Sequence, residues 1–428
     1  MTEPQPPAPK APQETPRPVT ESHRHQSLDV IRGFALLGIL GPNVLAFAWP
    51  SIAMYDPGVI DQTVAILTPD TPPHTAANDL AHDITSVFFF GKMMFLFSLL
   101  FGAGVVMYAR KFEGRDLKEG WWLWYRRMGW LLAIGLTHAV LFWYGDILVW
   151  YAVAGMGALW WVRKWSPKLQ LLVGIGTYLL GAALMTGLML LWVMFMGQSE
   201  QGEQSLTTAM NMEIEAYTGT YLMALKSRVV MLLQMYLVVL PLGFFWMCSG
   251  IMMGGMALTR LGVLTGERST RFYAVTAAIG LTVGLSGSYA AFTALEHSGF
   301  DNAGMLFQGF GQLIGIPTSL GYAASLILLL KLGVLRPLTA ALAAVGRMAL
   351  SNYLLQTIMA TTIFYPHGLG HFGTVQYPEL WVVMGGIWAF NIVFSLAWLR
   401  FFRFGPAEWL WRSLTYWQPQ PMLRRSRG

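Results

Sequence analysis

His138 stands in the stretch "AIGLTHAVLFWYGDILVWYAV", an apolar run holding one imidazole and, shortly after it, the carboxylate of Asp146. An imidazole exchanges protons near neutral pH, which makes His138 the best general-base candidate in the chain. The plainer reading is a buried histidine with a structural role. A pair with Asp146 would orient the ring, yet on two continuous helices joined at Tyr144–Gly145 their depths differ by about two turns. Asp146 therefore reads first as the N-cap of the helix that follows.

Two other polar residues fall at a similar level. Lys92, in "SVFFFGKMMFLFSLLFGAGV", lies on the order of 12 Å from the outer end of its apolar run at the helical rise. An amine at that depth is a functional candidate unless it snorkels outward. Asn43 closes "SLDVIRGFALLGILGPN" near the outward end of the first run; helix–helix hydrogen bonding is its ordinary use. Asn43, Lys92 and His138 thus mark one polar layer in the outer half of a membrane, if their helices pack together.

A second set sits toward the other side. Asp29 and Arg32 share a helix face, where Ser27 would cap, Asp29 would favour the helix N-terminus and Arg32 would snorkel. "AVGRMALSNYLLQTIMATTIFY" places Arg347, Ser351 and Asn352 on one side of a continuous helix, with Gln356 one turn deeper. Arg347 suits a phosphate or a buried acid.

These residues need apolar helices to hold them, and the composition supplies little else. The 428 residues are 55% hydrophobic and 12% charged, with 18 Trp and 25 Met. That charge content is about half the soluble average. The apolar runs lack the two-residue alternation of a barrel, so the expected class is an all-α, polytopic integral membrane protein. About ten spans are expected, near 28–49, 84–108, 123–144, 147–163, 168–196, 229–257, 271–295, 308–331, 338–364 and 380–402.

Loop charge orients them. The 50–83 loop carries Asp56, Asp61, Asp70, Asp79 and Asp83 without a Lys or Arg, whereas 109–127 holds Arg110, Lys111, Arg115, Lys118, Arg126 and Arg127. Every second loop is basic, through Arg163, Lys164, Arg260, Arg268, Lys331 and Arg336 to the final "RRSRG". By the positive-inside rule both termini are expected in the cytoplasm. Residues 1–26, with seven prolines, read as a disordered tail, and 405–428 as a basic one. The 50–83 loop is either a lid or a connection, and 197–227 contains a candidate amphipathic surface helix. The net charge of +6 follows from topology rather than from nucleic-acid binding. The single Cys248 excludes an intrachain disulfide. No His pair sits at zinc-like helical spacing with a carboxylate, His367 and His371 share a Gly-rich "YPHGLGH" loop with no obvious third ligand, and no Walker-type loop appears, so no metal is expected.

"SLDVIRGFALLGILGPN", "GKMMFLFSLLFGAGV", "GLTHAVLFWYGDILVWYA", "GRMALSNYLLQT" and "FGPAEWLWRSLTYWQPQP" follow one another in the order and spacing of the YeiB-like family. The chain resembles these bacterial membrane proteins from residue 25 to about 421, with the domain of unknown function 418 expected over about 230–415. That family in turn resembles the transmembrane acyltransferases that include heparan-alpha-glucosaminide N-acetyltransferase, mainly through Ser27, Leu28, Asp29, Arg32, Gly33 and Asn43.

The resemblance implies an acyltransferase of the bacterial cell membrane, moving an acyl group from cytoplasmic acyl-CoA, acetyl-CoA foremost, to an envelope glycan, lipid or metabolite. No family motif places the catalytic histidine; by depth and chemistry His138 is the catalytic candidate, together with Lys92 and Asn43. Arg32, Arg347, Asn352 and Gln356 are the donor-binding candidates, and Asp29 and Asp146 have supporting polar roles. A proton-coupled transporter and a non-catalytic envelope protein, with or without self-association in the bilayer, are the competing classes.

Overall fold

The computed structural model describes residues 25–54, 58–69, 76–113, 117–196, 200–298 and 302–424. The proline-rich tail up to residue 24, Asp56, Asp70, Arg115 and the end of "RRSRG" lie outside the described residues. Helices account for nearly all of the rest, and the described residues include no strand beyond one isolated bridge, Phe402–Leu423.

In chain order the helices are α1 (Gln26–Ala48), α2 (Gly58–Leu67), α3 (Ala76–Ile84), α4 (Lys92–Ala109), α5 (Leu117–Leu141), α6 (Leu148–Ala154) and α7 (Trp160–Val162). There follow α8 (Pro167–Met196), α9 (Glu200–Thr218), α10 (Tyr221–Gln234), α11 (Phe245–Arg260), α12 (Thr270–Ser298) and α13 (Asn302–Leu332). The last four are α14 (Arg336–Arg347), α15 (Ala349–Phe364), α16 (Tyr377–Phe401) and α17 (Pro406–Tyr416).

Seven helical stretches are long and apolar enough to cross a membrane, or eight if the bent pair α14–α15 counts as one span. This is the make-up of a multi-pass membrane protein. Two further stretches expected to span fall short by that measure. The first turns of α5 carry Lys118, Glu119, Arg126 and Arg127, and 148–162 is interrupted by a π segment at Gly155–Leu159.

α1 is the hub of the fold. Its central window is 78% buried, against 28% for α12 and α16, whose outward leucines, valines and phenylalanines remain exposed as a lipid-facing surface requires. α1 meets α14 through Gly33 and Gly346. A Cβ on Gly33 would lie 1.9 Å from the Leu342 carbonyl oxygen, and one on Gly346 equally close to that of Asp29. Only glycine permits backbones this near.

Three sequence expectations change here. The 338–364 run is not one helix: Met348 leaves helical geometry at φ −115° and ψ 32°, and α15 departs from α14 at 85°. Arg347 and Ser351 therefore do not share a helix face. The 84–108 run is not one regular helix either: a π turn at Thr85–Phe89 and a break at Gly91 with φ +76° precede α4, so Lys92 opens α4 within the apolar stretch Ala76–Phe112. Third, Ser27 does not cap α1; it lies inside the first turn and donates to the Leu264 carbonyl at 2.9 Å.

Glu408 on α17 answers the break before α15. Its Oε1 accepts the backbone N–H groups of Leu350 and Ser351 at 2.6 and 3.2 Å, while Oε2 accepts the Ser351 hydroxyl. A helix begun in the protein interior leaves its first N–H groups without intrahelical partners, and this carboxylate supplies the acceptors. The 50–83 excursion folds into α2 and α3, and α9 is the amphipathic helix expected in 197–227.

Candidate functional site

His138 is 3% exposed and Asp146 1%. The two are in contact after all: His138 Nδ1 donates to Asp146 Oδ2 at 2.7 Å. The estimate of mismatched depth assumed helix on both sides of a short turn. Instead α5 ends at Leu141, and the amides of Phe142 and Trp143 both return to the His138 carbonyl, at 2.9 and 3.2 Å. The non-helical 142–147 segment carries Asp146 back down beside the last turns of α5. Gly135 makes room, since a Cβ there would stand 2.9 Å from Asp146 Oδ1.

Asp146 also performs the capping role expected of it, because Oδ1 accepts the Val149 N–H at 2.8 Å. One carboxylate thus starts α6 with one oxygen and orients the imidazole with the other. With Nδ1 carrying the proton, Nε2 is left as an acceptor, and the Thr357 hydroxyl sits 3.0 Å from it. Tyr353, one turn earlier on α15, packs its ring 5.1 Å from the imidazole, and its hydroxyl accepts the Ile147 N–H at 3.3 Å.

Carboxylate, imidazole and hydroxyl in series form the relay used for nucleophile activation on many unrelated folds. Three elements supply it: α5, the turn before α6, and α15. Thr357 is the member that sequence reading passed over. In "LLQTIMATT" it looks like one of several helical threonines, and only the 85° bend of α14–α15 aims this one at His138.

The other candidates scatter. Lys92 is buried, donates Nζ to the Ser86 carbonyl at 3.0 Å, and lends its own carbonyl to Ser319 Oγ. Asn43 is half-buried beside Pro42. No hydrogen bond joins Asn43, Lys92 and His138 to one another among the described residues.

At the opposite end Arg32 pairs with Asp29 at 3.0 Å and reaches toward the Gly346 carbonyl at 3.5 Å, which brings it beside Arg347. Gln356 donates to the Leu36 carbonyl at 3.2 Å, and Asn352 donates to Val345 O and Ser395 Oγ at 3.2 and 2.8 Å. Those two amides tie α15 to its neighbours. Among the described residues, no three His, Cys, Asp or Glu side chains gather as metal ligands.

The chain aligns along most of its length with two bacterial proteins. It is 33% identical over 424 residues to "Uncharacterized protein YeiB" of Escherichia coli, covering 94% of this chain and 99% of that one. It is 30% identical over 426 residues to "Uncharacterized protein YxaH" of Bacillus subtilis, covering 96% and 99%. Residues 258–418 match the family described as "Protein of unknown function (DUF418)". The chain belongs to the YeiB-like family. No solved structure matches it.

The residues of this YeiB-like chain that match the family description begin near the end of α11 and run through α17. They bring Thr357 and Tyr353 to the relay, while His138 and Asp146 lie in the N-terminal part. Arg228 is a second residue that the local sequence does not mark. It directly precedes "VVMLLQMYLVVL" and reads as the edge of a loop, yet α10 already begins at Tyr221 and encloses it completely.

Proposed function

We propose that this YeiB-like protein is a membrane-embedded acyltransferase that moves an acyl group from cytoplasmic acyl-CoA to an envelope or exported acceptor. The observation that carries the reading is the buried Asp146–His138–Thr357 relay. The protein is read as lying in the bacterial inner membrane with ten spans, α5 and 148–162 completing the count, and with both termini cytoplasmic.

In this reading His138 Nε2 releases the Thr357 hydroxyl and accepts the proton of an acceptor hydroxyl or amine. The acceptor atom attacks the thioester carbonyl; the new C–O or C–N bond forms as the C–S bond breaks. The proton then passes from His138 to the departing CoA thiolate. Asp146 holds the ring in the tautomer that makes Nε2 a base. Asn43 and Lys92 are the candidates for holding the acceptor or the developing oxyanion.

Cations at the basic-loop end support a phosphate-bearing donor there. Arg127 lies within electrostatic reach of Arg32 and of Lys111, and Lys111 within reach of Arg412. Arg126 stands beside them with its Nε without a partner. Arg347 follows Gly346, whose carbonyl Arg32 reaches toward, and remains a candidate for the same phosphate. Asn352 and Gln356, next along α15, remain the candidates for orienting the carrier. From Arg127 to His138 the path along α5 is about 16 Å at the helical rise.

The test is release of free CoA from acetyl-CoA by purified protein given a panel of envelope glycans, lipids and small alcohols. Release that disappears in His138→Ala supports the reading; release that persists in it removes His138 from the chemistry. The interrupted helices at Gly91, Met348 and Met235–Phe244 favour a second reading, a proton-coupled transporter, because transporters place sites at broken spans. Uptake or efflux by proteoliposomes without any acyl donor would select it.

A further inference from the structure

Arg228 is wholly buried and only partly used. Its Nε and Nη2 donate to the carbonyls of Val140 and Leu141, each at 3.2 Å, closing the C-terminus of α5 just beyond His138. The Tyr221 hydroxyl adds a bond to the same Leu141 carbonyl at 2.8 Å. Nη1 has no partner, and among the described residues no carboxylate pairs with the guanidinium. A charge taken out of water without a counter-charge is costly, and carbonyl dipoles answer only part of it.

Two phenols stand around the guanidinium. Tyr365 lies with its ring centroid 5.9 Å from the guanidinium, and Tyr217 of α9 packs 4.6 Å from Tyr365. The Tyr217 hydroxyl faces both Tyr365 and Arg228. It approaches both as a hydrogen-bonding neighbour without reaching full hydrogen-bond geometry with either, and the Tyr365 hydroxyl likewise completes none. Both tyrosines are buried. Three groups that can donate, from α9, α10 and the turn after α15, therefore converge, and the one carboxylate nearby among the described residues is that of Glu213. The nearby acid, Glu213, gives one oxygen to Ser51, its Oε2 accepting the amide and the hydroxyl, each at 2.9 Å, while its Oε1 has no partner.

We propose that Arg228, Tyr217 and Tyr365 form a binding site for an oxyanion, a phosphate or carboxylate group, carried by the molecule that reaches His138. A guanidinium N–H and two phenol O–H groups match the several acceptor lone pairs of such a group. The site hangs from the same end of α5 that carries His138, so an anion held there leaves the rest of its molecule facing the imidazole. α9 brings Tyr217 as part of the cover. That the ligand is the acyl acceptor rests on the acyl-transfer reading; the anion site itself does not.

The experiment uses full-length protein in phosphatidylcholine nanodiscs, with thermal unfolding followed in sodium phosphate, sodium acetate and sodium chloride at equal ionic strength. A ligand of the folded state raises Tm in proportion to its occupancy. Phosphate or acetate should raise Tm above the chloride control, the stronger of the two naming the group. Arg228→Gln should abolish that increment, and the Tyr217→Phe, Tyr365→Phe double variant should weaken the apparent affinity at least about fivefold. The double variant keeps the rings and their packing, so it decides the matter if Arg228→Gln fails to fold. An increment no larger than in chloride, or one unchanged in the double variant, overturns the site. An anion response that vanishes in the variants, from a protein that never releases CoA, removes acyl transfer alone. CoA release beside an anion response that the variants leave intact removes the Arg228 site alone.

Discussion

At the scale of single residues the relay makes separate demands on its three members. Asp146→Asn keeps one side-chain oxygen for the Val149 N–H, so α6 should still start normally. It loses the carboxylate that fixes the His138 tautomer, and CoA release should fall by about 10²–10⁴-fold with little change in Tm. Steady-state rates beside an unfolding curve separate those effects; equal losses in both would make Asp146 a structural cap only. Thr357→Val keeps the shape of the side chain and removes the hydroxyl. If Thr357 only holds Nε2 until the acceptor arrives, the rate should fall less than about tenfold. A loss as deep as that of His138→Ala would make Thr357 the nucleophile.

Two contacts between elements decide whether the site stays assembled. Glu408 of α17 closes the start of α15, the helix that delivers Tyr353 and Thr357. Glu408→Ala leaves buried N–H groups and the Ser351 hydroxyl short of acceptors, and should cost about 1–3 kcal/mol. Thermal unfolding in detergent measures it, and an unchanged Tm would show that water replaces the carboxylate. Glu213 ties α9 to the segment after α1. Burial raises its carboxyl to about 7 even though both Ser51 bonds pull the other way, and Tyr217 on the same helix faces it. Because the folded value lies above the ordinary one, the neutral form favours folding. That stability is complete below about 4.5 and lost as pH rises through about 7. Between pH 5 and pH 8.5 the wild type should lose up to about 3 kcal/mol that Glu213→Gln does not lose. Parallel Tm profiles for the two proteins would rule out this tie.

For the whole molecule the test is orientation. Reporter domains fused at either terminus should report the cytoplasmic side, and cysteines introduced at Gln204 in α9 and at Lys118 should label from opposite faces. Labelling of both from the same face would break the ten-span reading. Cys248 is buried and contributes no background. The hub position of α1 also gives "SLDVIRGFALLGILGPN" a structural reason: Gly33 sets the crossing with α14, and Arg32 answers Asp29 beside it.

The sequence alone determined the class of protein, because an apolar helix has to announce itself in composition: lipid tolerates little charge and no unpaired backbone. It also marked His138 as a general-base candidate beside the plainer reading of a buried structural histidine. Its limits were those of local periodicity. A helix extrapolated through Met348 put Arg347 and Ser351 on one face, and helix extrapolated around Gly145 held Asp146 away from His138. Both errors came from breaks that only neighbouring elements stabilise: Glu408 at the start of α15, and Gly135 and Tyr353 around the 142–147 turn. Thr357 and Arg228 were legible only as residue types. Their partners lie 219 and 88 positions away along the chain, and side chains so far apart become a site only when tertiary packing brings them together.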